Sequence, residues 1–93
     1  MIRSFRNTET EKIFGRQFAR KFPRNIQQRA FMKLNAIDAA LSLDDLRLPP
    51  SNRLEALKGS RKGQHSIRVN DQWRICFVWR NGHAEHVEIV DYH

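Results

Sequence analysis

The sequence predicts an α+β domain in which an N-terminal antiparallel helix pair packs on a small twisted antiparallel β-sheet. Up to about Leu41, apolar residues recur every three or four positions, which is the period of a helix. After Arg53 they recur every second position, which is the period of a strand. Helices followed by strands are typical of a layered α+β fold. The 93 residues are enough for one domain, spanning residues 1–93.

The first helix is predicted to begin at Thr8, because Thr8 and Glu11 fit a capping box. It should reach about Lys21, since the phenylalanines at positions 14, 18 and 22 form one apolar stripe. Phe22-Pro23 should end it, because the residue before a proline disfavours the helical conformation.

The second helix should be capped by Asn25 and run to about Leu41. Residues 1–5 could form an edge strand. Further strands are predicted over residues 53–57, 64–69, 73–80 and 84–90. Between the last two, Asn81-Gly82 is a strong signal for a tight hairpin turn. In Trp73–Arg80 the odd-numbered residues should lie on one face of the sheet and the even-numbered residues on the other.

Charge is distributed unevenly along the chain, whose formal net charge is +7. Residues 1–34 hold nine Lys and Arg against two acids, and residues 58–80 hold six against one. One interpretation is a solvated surface, but two separate basic blocks favour binding of a polyanion such as nucleic acid. The single Cys76 predicts a buried thiol. With neither a signal peptide nor a long apolar run, we expect a cytoplasmic protein without a membrane partner.

Five cations in the second half of the chain are candidates for phosphate contacts. Lys58, Arg61 and Lys62 lie in or beside a glycine-flanked turn, where they either bind phosphates or only solubilise the turn. Arg68 and Arg74 should be neighbours on antiparallel strands. Two like charges so close are unfavourable unless a carboxylate or a phosphate lies between them. The alternative is that the arginines only lie on a polar, solvent-facing side of the sheet.

The polar C-terminus offers a carboxylate, a phenol and an imidazole at one end of the sheet. The His93 imidazole suits a general acid or base near neutral pH, although a terminal residue often has no role. Tyr92 would pack in the core or stack on a base. Asp91, like Asp71, could pair with one of the arginines.

A metal site is not expected from this sequence. His83 and His86 are three residues apart, which places them on opposite faces of a regular strand. His83-Ala84-Glu85 matches half of a zinc deaminase signature, but no Cys-x-x-Cys follows it. A phosphate-cradling glycine loop and a nucleophile elbow are both missing, so we expect no metal and no other cofactor.

Three phrases occur in an order that resembles a known family: Leu57-Lys58-Gly59, Asn70-Asp71-Gln72-Trp73-Arg74 and Asp91-Tyr92-His93. They resemble the HigB-type toxins of bacterial type II toxin–antitoxin systems, which belong to the RelE/ParE superfamily. The resemblance covers essentially the whole chain, including Met1–Phe5 and Ala36–Ala40.

The resemblance implies a function as well as the helix-pair fold. Many such toxins cut messenger RNA in the decoding site of the ribosome. A helix-turn-helix antitoxin of the HigA type neutralises the toxin, and only the complex binds operator DNA. Some members of the superfamily instead act on DNA gyrase without a nuclease site. A third alternative is an RNA- or ribosome-associated module without toxicity.

The resemblance also implies a role for individual residues. Lys58 would bind phosphate, and Arg74 would contact the scissile phosphate. Asp91, Tyr92 and His93 would form the C-terminal active-site group, with His93 as acid or base. We therefore expect a metal-independent attack by the 2′-OH.

The basic blocks supply further candidate contacts to RNA. Arg61, Lys62, Arg68, Arg16 and Arg20 are the candidate RNA contacts; the two from the early basic block face either ribosomal RNA or an acidic antitoxin surface.

Some active relatives carry a histidine just before Leu-Lys-Gly, where this chain has Glu55. Glu55 or His65 would then supply the second acid or base. The departure from the family's pattern also suggests a slow toxin.

Overall fold

The computed structural model describes residues 1–92 and has the predicted α+β architecture. Two helices, α1 (Thr8–Phe14) and α2 (Arg24–Ala39), precede a four-stranded antiparallel sheet. Its strands are β1 (Glu55–Ala56), β2 (His65–Arg68), β3 (Trp73–Arg80) and β4 (His83–Asp91), paired in that order. Short 3₁₀ turns occupy Leu43–Arg47, Pro50–Asn52 and Gly59–Arg61. The fold class predicted from the change of period is confirmed.

The hydrophobic core lies between the helices and one face of the sheet. Buried apolar side chains come from both layers: Ile13, Phe22, Ile26, Leu34, Ile37, Ile67, Ile75, Phe77, Val87 and Ile89. Phe22 meets Trp73 edge-on, with ring centroids 5.6 Å apart. The odd-numbered residues of β3 share one face, as predicted, and that face packs on the helices. The even-numbered residues face the opposite side.

The first helix is shorter than predicted. Its cap is Asn7 rather than Thr8, because the Asn7 side chain accepts a hydrogen bond of 2.8 Å from the Thr10 N–H. The helix ends at Phe14 with Gly15 as its C-cap, and Arg16 follows with a φ of 61°. Phe18, assigned to the apolar stripe, is consequently 54 % exposed.

A side chain of the second helix replaces the helical hydrogen bonds of residues 19–22. Gln27 accepts from the Ala19 N–H at 3.2 Å and donates to the carbonyls of Ala19 and Phe22 at 2.8 and 2.9 Å. The second helix also differs from the prediction at both ends. Pro23 rather than Asn25 precedes it, and Leu41 lies beyond its end and is 87 % exposed.

The N-terminal residues extend the edge of the sheet beside β4. Ile2 and Phe5 form isolated parallel bridges to Ala84 and Val87. The Asp38 side chain accepts a hydrogen bond of 2.8 Å from the Ile2 N–H, which attaches this segment to α2. The predicted edge position is therefore present as two bridges rather than as a regular strand.

The hairpin between β3 and β4 contains one feature that the alternating pattern did not predict. Asn81 and Gly82 adopt positive φ values of 52° and 79°, as a two-residue turn requires. Further along, the pairing shifts register between Cys76 and Val78, and His86 on β4 has a φ of 53°. This bulge places Glu85 and Glu88 on the same face, although they are three residues apart.

Candidate functional site

The sheet face opposite the helices carries a row of polar residues across all four strands. Glu55 is opposite Ser66, Ser66 is opposite Cys76, and Cys76 is opposite Glu88. Ser66 and Cys76 are fully buried, and Glu88 is 9 % exposed. Burial raises the pKa of the Cys76 thiol. Burial of polar groups on a face without helices requires partners, and arginines supply them.

Arg74 is held in this face by a set of directional contacts. It is 7 % exposed. Its Nε donates to Ser66 Oγ at 2.8 Å, and its Nη2 donates to the Arg53 carbonyl at 2.6 Å. Nη2 also lies 3.2 Å from Glu55 Oε1. Because its rotamer is fixed before any ligand arrives, the guanidinium is preorganised for an incoming anion.

A cleft of about 340 Å³ opens beside Arg74. Its lining residues are Arg53, Glu55, Arg68, Asn70, Asp71, Arg74 and Tyr92. The Arg74 guanidinium carbon lies 5.7 Å from the centroid of the Tyr92 ring. Tyr92 is positioned by its own N–H, which donates to the Gln72 carbonyl at 2.7 Å. The Asp91 carboxylate accepts from the Gln72 side chain at 3.1 Å.

Arg68 lies directly opposite Arg74, as the sequence predicted. Each guanidinium has its own carboxylate, since Arg68 contacts Asp71 and Arg74 contacts Glu55. The Asp71 side chain is 98 % exposed, so that pair is screened by solvent. A phosphate entering the cleft can therefore compete for both arginines.

Arg61 is less available than its turn position suggested. Its Nη1 donates to Glu88 Oε1 at 2.8 Å and to Gln64 Oε1 at 3.1 Å. The hydrogen bond that Arg61 donates to Glu88 raises the pKa of Arg61 above its ordinary value. Arg6 also approaches the same Glu88 oxygen at 3.6 Å. The sequence reasoning missed Arg6 and Glu88, because the bulge that turns Glu88 onto this face leaves no clear signal in the pattern.

The other turn cations lie apart from the cleft. Lys58 and Lys62 flank the 3₁₀ turn Gly59–Arg61, and both are exposed. Neither is among the residues that line the cleft. Their exposed position is compatible with a mobile contact to a long polyanion, while the fixed contacts belong to Arg74.

Arg16 and Arg20 lie in the segment between the helices. The Arg16 guanidinium stacks over the Phe31 ring at 4.6 Å, and Arg20 is exposed. Since the helices cover the other face of the sheet, the structure does not bring these two residues together with Arg74.

The two alternatives for the second acid or base differ in their location. His65 stacks on Phe77, with centroids 6.4 Å apart, and so faces the helix side of the sheet. Burial lowers its pKa, and its Nδ1 is buried without a hydrogen-bond partner among residues 1–92. Glu55 lines the cleft and contacts Arg74. Of the two, Glu55 is the residue beside the candidate phosphate site.

Two further predictions concern His93 and metal binding. His93 lies outside the described residues. Within residues 1–92 there is no group of three His, Cys, Asp or Glu side chains placed to hold a metal ion. The same residues include no helix long and apolar enough to cross a membrane.

Comparison with known proteins gives consistent matches over the whole chain. A family model described as RelE-like toxin of type II toxin–antitoxin system HigB matches residues 3–93. Endoribonuclease HigB of Proteus vulgaris is 34 % identical over 93 residues, which is the full length of both chains. Toxin HigB-1 of Vibrio cholerae is 49 % identical over 65 residues, or 70 % of this chain and 68 % of that toxin.

Solved structures show the same fold at low sequence identity. The YoeB–YefM complex from Staphylococcus aureus matches with a TM-score of 0.61 and 18 % identity, over 100 % of this chain and 98 % of that one. YafQ from Escherichia coli matches with a TM-score of 0.58 and 14 % identity, over 98 % and 93 %. At these identities the likeness supports the fold alone.

Proposed function

Because the chain belongs to the HigB-like family of RelE-like toxins from type II toxin–antitoxin systems, we propose that it is an endoribonuclease that cuts messenger RNA in the ribosomal A site. The full-length relative from Proteus vulgaris is named an endoribonuclease, which supports the reaction. The observation that carries the proposal is the buried, preorganised Arg74 beside a cleft that also presents Tyr92 and a carboxylate.

The reaction we propose is transfer of the phosphodiester to the neighbouring 2′-oxygen. The 2′-oxygen loses its proton to a base and forms a bond to phosphorus. The bond from phosphorus to the 5′-oxygen breaks, and an acid protonates that oxygen as it leaves. Negative charge grows on the non-bridging oxygens, where a fixed guanidinium is most effective. Arg74 is proposed for this role, with Lys58 as a second and more mobile cation.

The remaining roles follow from chemistry and position. His93 is proposed as one proton-transfer group and Glu55 as the other. Glu55 accepts the 2′ proton once a phosphate replaces it as the partner of Arg74. Tyr92 stacks on a base next to the cut, and Asp91 fixes the C-terminal segment through Gln72. This scheme proceeds without a metal ion or cofactor.

The biological partners are proposed from family membership. A type II toxin requires an antitoxin, and the fold relative from Staphylococcus aureus was solved as a toxin–antitoxin complex. We propose a helix-turn-helix antitoxin of the HigA type that neutralises this chain, with operator DNA bound only through the complex. The site of action is the cytoplasm, where ribosomes translate.

The test combines the purified protein with bacterial ribosomes programmed with a defined message. Primer extension should reveal discrete cuts in the A-site codon. Arg74→Ala should abolish these cuts, whereas Arg80→Ala should retain them, because Arg80 lies on the same strand but is exposed and paired with Glu85. An intact message with the wild-type protein would reject the nuclease. Inhibition of translation or of DNA gyrase without cuts would then identify a binding-only inhibitor.

A further inference from the structure

A second cationic groove lies next to the candidate site and is not explained by it. Arg29 and Lys33 are four residues apart on α2, so they share one face of the helix. They line a groove of about 340 Å³ together with Ser51, Arg68 and Val69. Within residues 1–92, neither Arg29 nor Lys33 lies within 4 Å of a carboxylate.

The two cations are held by neutral acceptors rather than by opposite charges. Arg29 Nη1 donates to the Val69 carbonyl at 3.4 Å. Lys33 Nζ donates to the side-chain oxygen of Asn52, whose residue is fully buried. Burial and the neighbouring charge of Arg29 lower the pKa of Lys33. A bound anion would relieve the repulsion between Arg29 and Lys33. The neutral oxygens of Val69 and Asn52 do not relieve it.

The groove shares one lining residue with the candidate active-site cleft. Arg68 lines both cavities and lies opposite Arg74 on the neighbouring strand. Arg68 therefore links the groove cations to Arg74, and the carboxylates of Asp71 and Glu55 occupy these two arginines until a phosphate displaces them. A single-stranded RNA carries one phosphate per nucleotide, so a chain bound at Arg74 would present its next phosphates along such a track.

We propose that the Arg29–Lys33 groove binds a second phosphodiester of the RNA strand whose scissile phosphate lies at Arg74. This inference rests on the proposed nuclease function and extends it. The groove binds the substrate before and during cleavage and does not take part in proton transfer. Removal of the groove cations should weaken RNA binding but leave the cleavage rate at saturation unchanged. The reason is that the contact is equally strong in the ground state and in the transition state.

The first experiment compares two variants that remove equal charge. Arg29→Gln/Lys33→Gln removes the groove cations, and Arg47→Gln/Arg80→Gln removes two exposed cations that line neither cavity. Cleavage on programmed ribosomes gives a half-saturating concentration and a single-turnover rate. The groove variant should need on the order of tenfold more enzyme for half-saturation. Its saturated rate should stay within about twofold of wild type.

The salt dependence provides an independent readout. Each lost contact to a single-stranded phosphate should reduce the slope of log affinity against log salt by about 0.7. Arg29→Gln alone gives a second variant, since it leaves the Lys33–Asn52 hydrogen bond intact. If the groove variants behave like the Arg47→Gln/Arg80→Gln control while the wild type cuts normally, the groove inference is overturned and the nuclease stands. If the wild type does not cut at all, both fail together.

A modified message separates the substrate from other anions. A neutral methylphosphonate linkage is placed in turn at each position flanking the cut. At one position the neutral linkage should weaken binding by the wild type to the level of the groove variant. The same linkage should not weaken binding by the groove variant any further. A defect of the variant that persists with every modified message would indicate ribosomal RNA instead. Loss of inhibition by the antitoxin with unchanged cleavage would indicate a protein surface; either result overturns the proposal.

Discussion

Glu55 and Arg74 form an ion pair of 3.2 Å in which the two partners have very different access to solvent. The Arg74 side chain is 9 % exposed, whereas that of Glu55 is 52 % exposed. Arg74 keeps its position through Ser66 and the Arg53 carbonyl even if the carboxylate leaves. Glu55 therefore occupies the place of an anionic ligand, and exchange for a phosphate leaves it free to accept a proton.

Glu55→Gln should therefore lower the single-turnover cleavage rate by roughly a hundredfold, which is typical for loss of a general base. The amide keeps the shape of the side chain and its place beside Arg74. Single-turnover cleavage at saturating enzyme measures the effect. An unchanged rate in the variant would remove Glu55 from proton transfer and leave it as an anchor for Arg74.

The sequence predicted the parts of the fold that depend on local pattern. Alternation along β3 and the Asn81-Gly82 turn set the hairpin, and hence the pairing of Arg68 with Arg74. The end of α1 was missed because it depends on Gln27, which hydrogen-bonds to residues 19–22 from another helix. Long-range hydrogen bonds of this kind leave no periodic signal.

The candidate site was predictable to a similar extent. The arginine pair followed from strand register, and Tyr92 from its position after β4. The ion pair between Arg61 and Glu88 was not predictable from the sequence, because a bulge shifts the alternation of β4 by one residue. The place of His65 follows from alternation once β2 is known, since Ser66 contacts Arg74 and its neighbour must face the helices.

His65→Phe should retain cleavage within about twofold, because the ring faces Phe77 and not the cleft. The same variant tests a pH effect on stability. Burial lowers the His65 pKa in the folded state, so folding favours the neutral ring. The contribution of neutral His65 to the free energy of unfolding is complete above the unfolded-state pKa of about 6.5 and is lost as the pH falls below that value. Urea unfolding should show that wild-type stability falls more between about pH 7 and pH 5 than that of the variant. Equal losses would contradict the burial of a neutral ring.

Asn7→Ala should lower the free energy of unfolding by about 1 kcal/mol, since the Thr10 N–H loses its acceptor at the start of α1. Thr8→Ala should have a smaller effect, within about 0.5 kcal/mol, because Thr8 is exposed and lies inside the helix. Urea titrations of both variants give the comparison. A larger loss of stability from Thr8→Ala would support the capping box of Thr8 and Glu11 that the sequence predicted.

Glu88→Ala should destabilise the fold, because Arg61 would lose its partner at 2.8 Å and Arg6 its neighbour. We expect a loss of about 1–2 kcal/mol, less than for a fully buried pair because both arginines are partly exposed. Arg47→Ala is the matched control. It removes an ion pair of the same 2.8 Å length whose side chains are 68 % and 81 % exposed, and it should change stability by less than about 0.5 kcal/mol.

The Glu88–Arg61 pair also separates a structural from a substrate-binding role for Arg61. If the pair only supports the sheet, Glu88→Ala, Arg61→Ala and the double variant should lose similar stability, because the second change removes nothing further. Cleavage by all three should then stay within about threefold of wild type in the single-turnover assay. A cleavage defect in Arg61→Ala that Glu88→Ala does not share would mean that Arg61 leaves the carboxylate to bind RNA. In that case the carboxylate restrains Arg61 in the free protein, and its removal should strengthen RNA binding.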